Sequence, residues 1–383
     1  VVSTIMYLYS SQCLLDAWKI ESSAAATGES ASLLNGGSSR RRIMLSYPEL
    51  AYRAMGPVGE QMVKLGIALM QSGVCLTYLI FVPHNLYTSV LHMFGVNIST
   101  DYWLIVMIVM QIPLSWIRDI RKLTPTNFLA NALILYGLLT CLVFAFDQAA
   151  RANPNVGPAE SLELQLIHLS PLRSQWYLFI GFSVLMFEGS ITLLVPLQEA
   201  VHTEEDRKKF PNVYGWVISS VIVFYTIFAV SNWMAFGNSV NTVLTTSLPP
   251  SHLATSVQLA YSIAIIFTFP LQNFPSLEIA CKTVSTQLSE RGCMNISKQS
   301  YVLQRNLIAS ISILVLAAIA FSTMNSLAKV VSLMGSLLGC PIAYVFPPII
   351  HTQLAKDISP WRRAGNHIVA GLGVIAMVFA SII

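Results

Sequence analysis

One ionisable residue interrupts a long apolar run near the middle of the sequence. Glu188 lies within residues 175–200 and is followed by Gly189 and, seven residues further on, by Pro196. Burial makes a carboxyl group harder to ionise, so a buried glutamate can exchange protons closer to neutral pH. Glycine and proline weaken a helix, and a break inside an apolar segment frees backbone amides that suit a carboxylate ligand. Residues 187–190 are therefore a candidate binding site, and Glu188 is the candidate proton-coupling group.

A second interpretation of the same residues stays open. Glu188 could be a structural residue, hydrogen-bonded to a neighbouring helix in a segment that is merely kinked. An ionisable side chain at the centre of a membrane helix costs about 2.5–3.5 kcal/mol on insertion scales. In either role, the contacts that Glu188 makes would have to offset that cost.

The composition places these residues in a membrane protein. Of the 383 residues, 54% are hydrophobic and 10% are charged, whereas a soluble domain carries about 25% charged residues. A membrane-spanning helix needs about 20 mainly apolar residues. The segments that meet or partly meet this requirement are 1–18, 61–93, 102–117, 126–147, 175–200, 211–236, 253–281, 306–323, 327–350 and 366–383. The sequence predicts an all-α, polytopic integral membrane protein of about ten helices, with a single transmembrane domain over residues 1–383.

Loop charges give the orientation of these helices. Of the 22 Lys and Arg residues, 17 fall in one set of alternate loops and two in the other. Positive residues accumulate on the cytoplasmic side, so the loop 21–58 is predicted to be cytoplasmic. Residues 22–58 form its linker, and the Ser-, Gly- and Ala-rich composition of 22–39 predicts flexibility. Asn97 begins an N-x-S sequon on the opposite side of the membrane, where it could carry a glycan.

Several other functional classes are not favoured. The basic residues lie in separated short loops beside apolar segments, which is a topology pattern rather than a nucleic-acid interface. The six cysteines have no metal-like spacing, so no metal site is predicted. The sequence contains no H-E-x-x-H, G-x-S-x-G or phosphate loop, and no catalytic residue is assigned.

Further spans contain residues that weaken a helix. Pro270 and Pro275 flank two amide side chains, and small residues in 332–341 allow helices to approach closely. The triplet Pro83-His84-Asn85 interrupts 61–93, and His84 is either a proton relay or a structural histidine. The density of such residues favours a mobile, cavity-lined protein over a rigid anchor.

Several short motifs follow one another in a specific order. They are FEG at 187–189 with VPLQ at 195–198, FP at 210–211, FG at 236–237, LMGS at 333–336 with PP at 347–348, and SYPEL at 46–50 with GPVG at 56–59. In this order they resemble the amino acid/auxin permease family, and most closely its proton-coupled and vacuolar amino acid transporter branch. The resemblance covers essentially the whole chain. Gln198 departs from it, since this branch often has Glu there.

The resemblance implies an inverted-repeat, leucine-transporter-like (APC) fold of eleven helices, of which this chain would hold helix 2 to helix 11. Segment 175–200 would be broken helix 6. Helix 1, which supplies the other half of the family's substrate site, would be absent. The site residues that the family pattern implies are Phe187, Glu188, Gly189 and Ser190, with Tyr78 and Phe81 from helix 3 and Phe269 from helix 8. Ordinary aromatic packing is the alternative for Tyr78, Phe81 and Phe269.

The function that the resemblance implies is secondary transport of amino acids by alternating access. Such transport needs no cofactor. A proton gradient would drive the amino acid across a vacuolar, lysosomal or plasma membrane. The alternative is a membrane amino acid sensor that binds the same ligand without moving it and uses residues 22–58 as a partner surface. A membrane-embedded enzyme is not expected.

Overall fold

Long apolar segments fold into helices because the backbone must satisfy its own hydrogen bonds in lipid. The computed structural model describes residues 2–34, 45–117, 124–152, 177–201, 203–236, 243–290, 298–355 and 357–381. The helices of the first half are α1 (Val2–Leu34), α2 (Tyr47–Phe94), α3 (Thr100–Ser115), α4 (Thr124–Ala152) and α5 (Leu178–Ala200). Those of the second half are α6 (Glu204–Phe236), α7 (His252–Glu290), α8 (Lys298–Thr323), α9 (Leu327–Leu333), α10 (Phe346–Leu354) and α11 (Pro360–Ser381).

The described helices confirm a polytopic membrane protein. Within the described residues, seven helical stretches are long and apolar enough to cross a membrane. One of them, Tyr301–Leu354, contains two of the predicted spans. Thr323 leaves helical geometry there (φ −113°, ψ 12°), and the 3₁₀ turn Met324–Ser326 follows. Helix α3 is apolar but shorter, and the total of about ten spans stays a prediction.

The sequence was wrong about two local breaks. Helix α1 continues to Leu34, so 22–34, which were predicted to be flexible, are helical, and α2 begins at Tyr47, inside the predicted linker 22–58. Residues 35–44 lie outside the described part. Alanines at 24–26 are strong helix formers. Helix α2 also runs through Pro83 without a break, and its non-helical residue is Gly56 (φ 72°, ψ −165°).

The motif SYPEL starts a helix and is not a loop. The Glu49 amide donates to the Ser46 hydroxyl over 3.3 Å, as in the capping box that opens many helices. Pro48 suits the first turn, where the missing N–H has no intrahelical partner in any case.

The helices pack into two compact units. The first unit comprises Val1–Met70, Gln175–Ile222 and Val331–Ile383, and the second comprises Gln71–Ser174 and Val223–Val330. The boundaries fall inside α2, α6 and α9, so each of these helices contributes residues to both units.

Glycines set the packing of α5 in the first unit. A Cβ built at Gly181 would lie 2.0 Å from the Ser332 carbonyl oxygen, and one built at Gly335 would lie 1.9 Å from the Gly181 carbonyl oxygen. The two backbones therefore touch with no side chain between them, which confirms the close approach predicted for 332–341. Val184, Ile191 and other side chains on the same face of α5 are buried in the core of this unit.

Proline explains the irregular helix that follows. Residues Met334–Gly339 and Pro341–Val345 are π-helical, with wider turns than an α-helix. In that pattern the Ile342 carbonyl would accept from residue 347, but Pro347 has no N–H. The buried Tyr47 hydroxyl donates to the Ile342 carbonyl instead, over 2.6 Å. Helix α2 thus satisfies a carbonyl that the π-helix cannot.

The second unit is built on α7, which packs against α4 and α3. Gly137 of α4 faces the Tyr261 ring, and a Cβ there would lie 2.2 Å from it. At one end of α7, Gln258 accepts a hydrogen bond from Ser89 over 3.0 Å and donates to the Thr245 carbonyl over 2.9 Å. Thr245 in turn donates to the buried Asn85 side chain over 2.6 Å. These bonds tie α2 to α7 through buried polar groups.

Candidate functional site

The predicted break in segment 175–200 is wrong in this conformation. Helix α5 is continuous from Leu178 to Ala200, and within the described residues positive φ values occur at Gly56 and Gly95 but not at Gly189. A broken helix leaves unpaired backbone groups that lipid does not satisfy. Pro196 removes only one bond, close to the end of the helix. The amides of 187–190 are thus used within the helix and are not free to bind a carboxylate.

Aromatic side chains and hydroxyl groups gather on the buried face of α5 at the predicted site. Phe187 is 3% exposed and stacks on Tyr7 of α1, with ring centroids 4.6 Å apart. The Tyr7 and Tyr214 hydroxyls are hydrogen-bonded to each other. Tyr214 of α6 donates to the Ser190 carbonyl over 3.4 Å, so its own oxygen accepts from Tyr7. Three helices of the first unit therefore meet at Phe187 and Ser190.

Gly189 faces open space on another side of α5. A Cβ built at Gly189 would meet no described atom within 4 Å. Two residues correspond to about 200° round a helix, so Gly189 faces away from Phe187 and lies on the same side as the exposed Met186 and Leu193. The Glu188 side chain lies outside the described part of the structure, and its proposed proton exchange stays a prediction.

The three aromatic residues predicted from helices 3 and 8 all belong to the second unit. Tyr78 of α2 interacts with the Thr268 side chain of α7, and Phe81 meets Tyr261 edge-on, with centroids 6.5 Å apart. Phe269 is fully buried. These contacts are ordinary packing, and a ligand-binding role for the three residues stays a prediction.

The two amide side chains between Pro270 and Pro275 belong to a group of polar side chains in the second unit whose partners on α2 the sequence did not predict. Gln71 of α2 is hydrogen-bonded to Gln272 of α7, and Ser72 is hydrogen-bonded to Ser276 over 2.7 Å. Asn273 is fully buried, and its side-chain amide has no hydrogen-bond partner among the described residues. Polar groups at membrane depth are costly and often functional. The two prolines beside them were the available signal.

His84 has a structural contact in the same unit. Its Nε2 lies 3.2 Å from the Met324 carbonyl oxygen, which can only accept, so Nε2 carries the proton. The bond joins α2 to the 3₁₀ turn after α8. This supports the structural interpretation of His84.

Polar contacts also join the helix ends on the predicted cytoplasmic side of the first unit. The Trp18 indole donates to Glu199 over 2.7 Å, and the Arg207 guanidinium lies 6.0 Å from the centre of the Trp18 ring. Arg53 of α2 pairs with Glu21 of α1 over 2.6 Å. Within the described ranges, no group of three or more His, Cys, Asp or Glu residues could hold a metal ion.

The family can be assigned by comparison with known proteins. The model of the family described as transmembrane amino acid transporter protein matches residues 31–383. The chain belongs to this family. The match covers α2 to α11 and therefore both units, and it confirms the resemblance to the amino acid/auxin permease family.

Individual members of the family are similar over most of this chain. Vacuolar amino acid transporter 4 of Saccharomyces cerevisiae is 29% identical over 80% of the chain and 44% of its own length. Vacuolar amino acid transporter 3 of Schizosaccharomyces pombe is 27% identical over 89% of the chain and 49% of its own length. Amino acid transporter ANT1 of Arabidopsis thaliana is 23% identical over 88% of the chain and 76% of its own length. The chain thus spans about half the length of the yeast relatives.

Proposed function

We propose that this chain is a secondary transporter that moves amino acids across the vacuolar membrane. The observation that carries the proposal is the family match over residues 31–383, together with two yeast relatives that are named as vacuolar amino acid transporters. A transporter of this class is not an enzyme and needs no cofactor. A proton gradient is the proposed driving force, and the loop 21–58 is assigned to the cytoplasm.

The proposed binding site lies beside α5, between Phe187 and Ser190. An amino acid is a zwitterion, so it needs polar partners inside an apolar protein. The Ser190 hydroxyl, the Tyr214 hydroxyl and the Glu188 carboxyl are the groups assigned to it. Because α5 is continuous here, side chains rather than freed amides would make the first contacts.

Alternating access is the proposed mechanism. A ligand bound near the middle of the membrane crosses when helices rearrange around it, so that first one side and then the other is open. Weak points in α5, at Gly189 and Pro196, would allow such a rearrangement. Protonation of Glu188 would couple it to the proton gradient.

Uptake of labelled amino acids into proteoliposomes tests this function. We expect accumulation that depends on an imposed pH gradient and that collapses when a protonophore dissipates it. Binding of an amino acid without accumulation would contradict transport and would favour a sensor. Glu188→Gln should reduce the response to the gradient, and an unchanged response would remove Glu188 from the coupling role.

A pair of glycine variants tests the location of the site. Gly189→Leu fills the space beside α5, and Gly371→Leu is a matched control because a Cβ at Gly371 of α11 also meets no described atom within 4 Å. We expect uptake to fall about tenfold or more in Gly189→Leu, since leucine removes the weak point of α5 that the proposed rearrangement needs and adds a large side chain next to Ser190. Uptake should be retained in the control, and equal uptake by both variants would move the site elsewhere.

A further inference from the structure

A buried histidine belongs to a second polar cluster of the first unit. Of the five histidines whose side chains the structure describes, His351 of α10 is the buried one, at 4% exposure. Asn366 of α11 is 1% exposed and lies beside it. Histidine is the side chain whose ordinary pKa lies closest to neutral pH, so a buried contact made by it can respond to protons.

The hydrogen bonds of Thr352 fix the orientation of the Asn366 amide. The Thr352 hydroxyl donates its single proton to the Pro348 carbonyl over 2.8 Å. Its oxygen must therefore accept from Asn366, and the Nδ2 atom of Asn366 lies 2.8 Å away. The Oδ1 atom consequently points the other way, where it accepts from the Tyr9 hydroxyl over 2.8 Å and from the Cys13 thiol over 3.3 Å.

This orientation determines the protonation state of His351. The same Nδ2 atom of Asn366 lies 3.0 Å from Nδ1 of His351. Because Nδ2 can only donate, Nδ1 must accept and carries no proton in this conformation. Protonation of Nδ1 would place two donors face to face in a buried position. One of the two hydrogen bonds that Asn366 of α11 donates to α10 would then be lost, and the amide that accepts from Tyr9 and Cys13 of α1 would be held by Thr352 alone.

Titratable and charged groups surround the His351–Asn366 pair on each element packed against it. Asp16 from α1 and Arg362 from α11 interact electrostatically with His351, and Tyr9 and Cys13 from α1 are bonded to Asn366. The π-helical segment that packs against α10 carries Tyr344. Asp16 forms ion pairs with Arg362 and, over 3.3 Å, with Lys19, so opposite charges offset each other near the imidazole. The Tyr344 hydroxyl is hydrogen-bonded to Ser3 over 2.6 Å. Asn366 is thus the direct partner of the Nδ1 atom.

We propose that His351 is a proton-responsive residue of the transporter. Its neutral form accepts from Asn366, which joins α1, α10 and α11, and its protonated form loses this hydrogen bond and so weakens the contact between the three helices. As a statement about transport, it rests on the proposed function. As a statement about the structure, it rests on the His351–Asn366–Thr352 geometry alone. The transporter therefore has a candidate for acid sensitivity that is separate from Glu188.

The stability of the purified protein tests the structural part. The folded state needs neutral His351, whereas the unfolded chain binds the proton freely, so the contribution of this contact is lost as the pH falls. We expect the unfolding midpoint in detergent to decrease between about pH 8 and about pH 5. His351→Asn keeps an acceptor near the Nδ1 position but cannot titrate there, so its midpoint should decrease less. His367→Asn, an exposed position on α11, is the matched control and should follow the wild type.

Asn366→Asp provides an independent variant. An aspartate accepts a hydrogen bond from protonated His351, so the folded state now binds the proton more tightly and this contact gains stability as the pH falls. The decrease of the midpoint between about pH 8 and about pH 5 should therefore be reduced or reversed in this variant. If His351→Asn does not fold, the pH response of Asn366→Asp decides. A pH response of the midpoint that is the same in wild type, His351→Asn and Asn366→Asp would overturn the proposal.

Uptake tests the link to transport. Wild-type uptake should change by about twofold to tenfold over the same pH range, because the loss of one hydrogen bond changes an equilibrium by about that factor. His351→Asn should abolish most of that change. Unchanged pH dependence of uptake in His351→Asn would refute a role in transport. If no amino acid is taken up by the wild type, the proposed function fails, while the unfolding experiment still decides whether His351 responds to protons.

Discussion

Replacing Gly335 by alanine should separate two helices that touch through their backbones. The new Cβ would lie 1.9 Å from the Gly181 carbonyl oxygen, whereas carbon and oxygen normally approach to about 3.3 Å. The π-helical segment and α5 would have to move apart by about 1.4 Å. No side chain can rotate out of the way, because the obstacle is backbone.

The magnitude follows from the packing that this movement removes. Overpacking costs about 1–3 kcal/mol, and a gap of about 1 Å already forfeits up to half of the dispersion energy across it. Alanine has a higher helix propensity than glycine, and this difference offsets up to about 1 kcal/mol of the lost stability. We therefore expect a net destabilisation of about 2 kcal/mol, which for a chain of 383 residues corresponds to an unfolding midpoint about 2–3 °C lower.

Thermal unfolding in detergent measures this effect. A thiol-reactive dye reports unfolding, because Cys13, Cys340 and other cysteines are free and buried in the folded protein. Gly371→Ala is the control, since its Cβ meets no described atom within 4 Å, and it should match or exceed the wild-type midpoint. If Gly335→Ala unfolds at or above the wild-type temperature, the close contact with α5 does not hold the first unit together.

Three further outcomes are expected from single substitutions. Tyr47→Phe leaves the buried Ile342 carbonyl unpaired and should reduce the free energy of unfolding by about 1–3 kcal/mol, as measured by the thermal midpoint against Tyr52→Phe, an exposed tyrosine of the same helix. Gly56→Ala should cost about 1–3 kcal/mol in the same assay although its Cβ has room, because φ 72° with ψ −165° is accessible almost solely to glycine. Asn97→Gln should abolish any endoglycosidase-sensitive mass in protein expressed in eukaryotic cells, and a mass shift that persists in the variant would contradict the assignment of the glycan to this exposed residue.

The sequence predicts the helices well because length, hydropathy and loop charge all act locally along the chain. The predicted span 126–147 lies inside α4, and 102–117 differs from α3 by two residues at each end. The close approach at Gly335 was also predictable, since small residues in a membrane helix indicate contact between helices.

The candidate site was harder to predict because it depends on contacts between distant parts of the chain. Gly189 and Pro196 indicate a weak helix, but the surroundings decide whether it breaks, and here α5 stays helical. The Tyr7–Tyr214 pair joins residues that are 207 positions apart. The role of Asn366 likewise depends on Thr352 and Pro348 from another helix, and no local sequence motif predicts it.

The backbone contact between Gly181 and Gly335 affects how α5 can move against the π-helical segment. Interlocked side chains resist the sliding of one helix along another, because each step requires new rotamers. Where two backbones meet directly, a small axial shift changes no rotamer and traps no bulky group. Among the contacts of α5 described above, this crossing is therefore the one at which an axial shift would meet the lowest steric barrier.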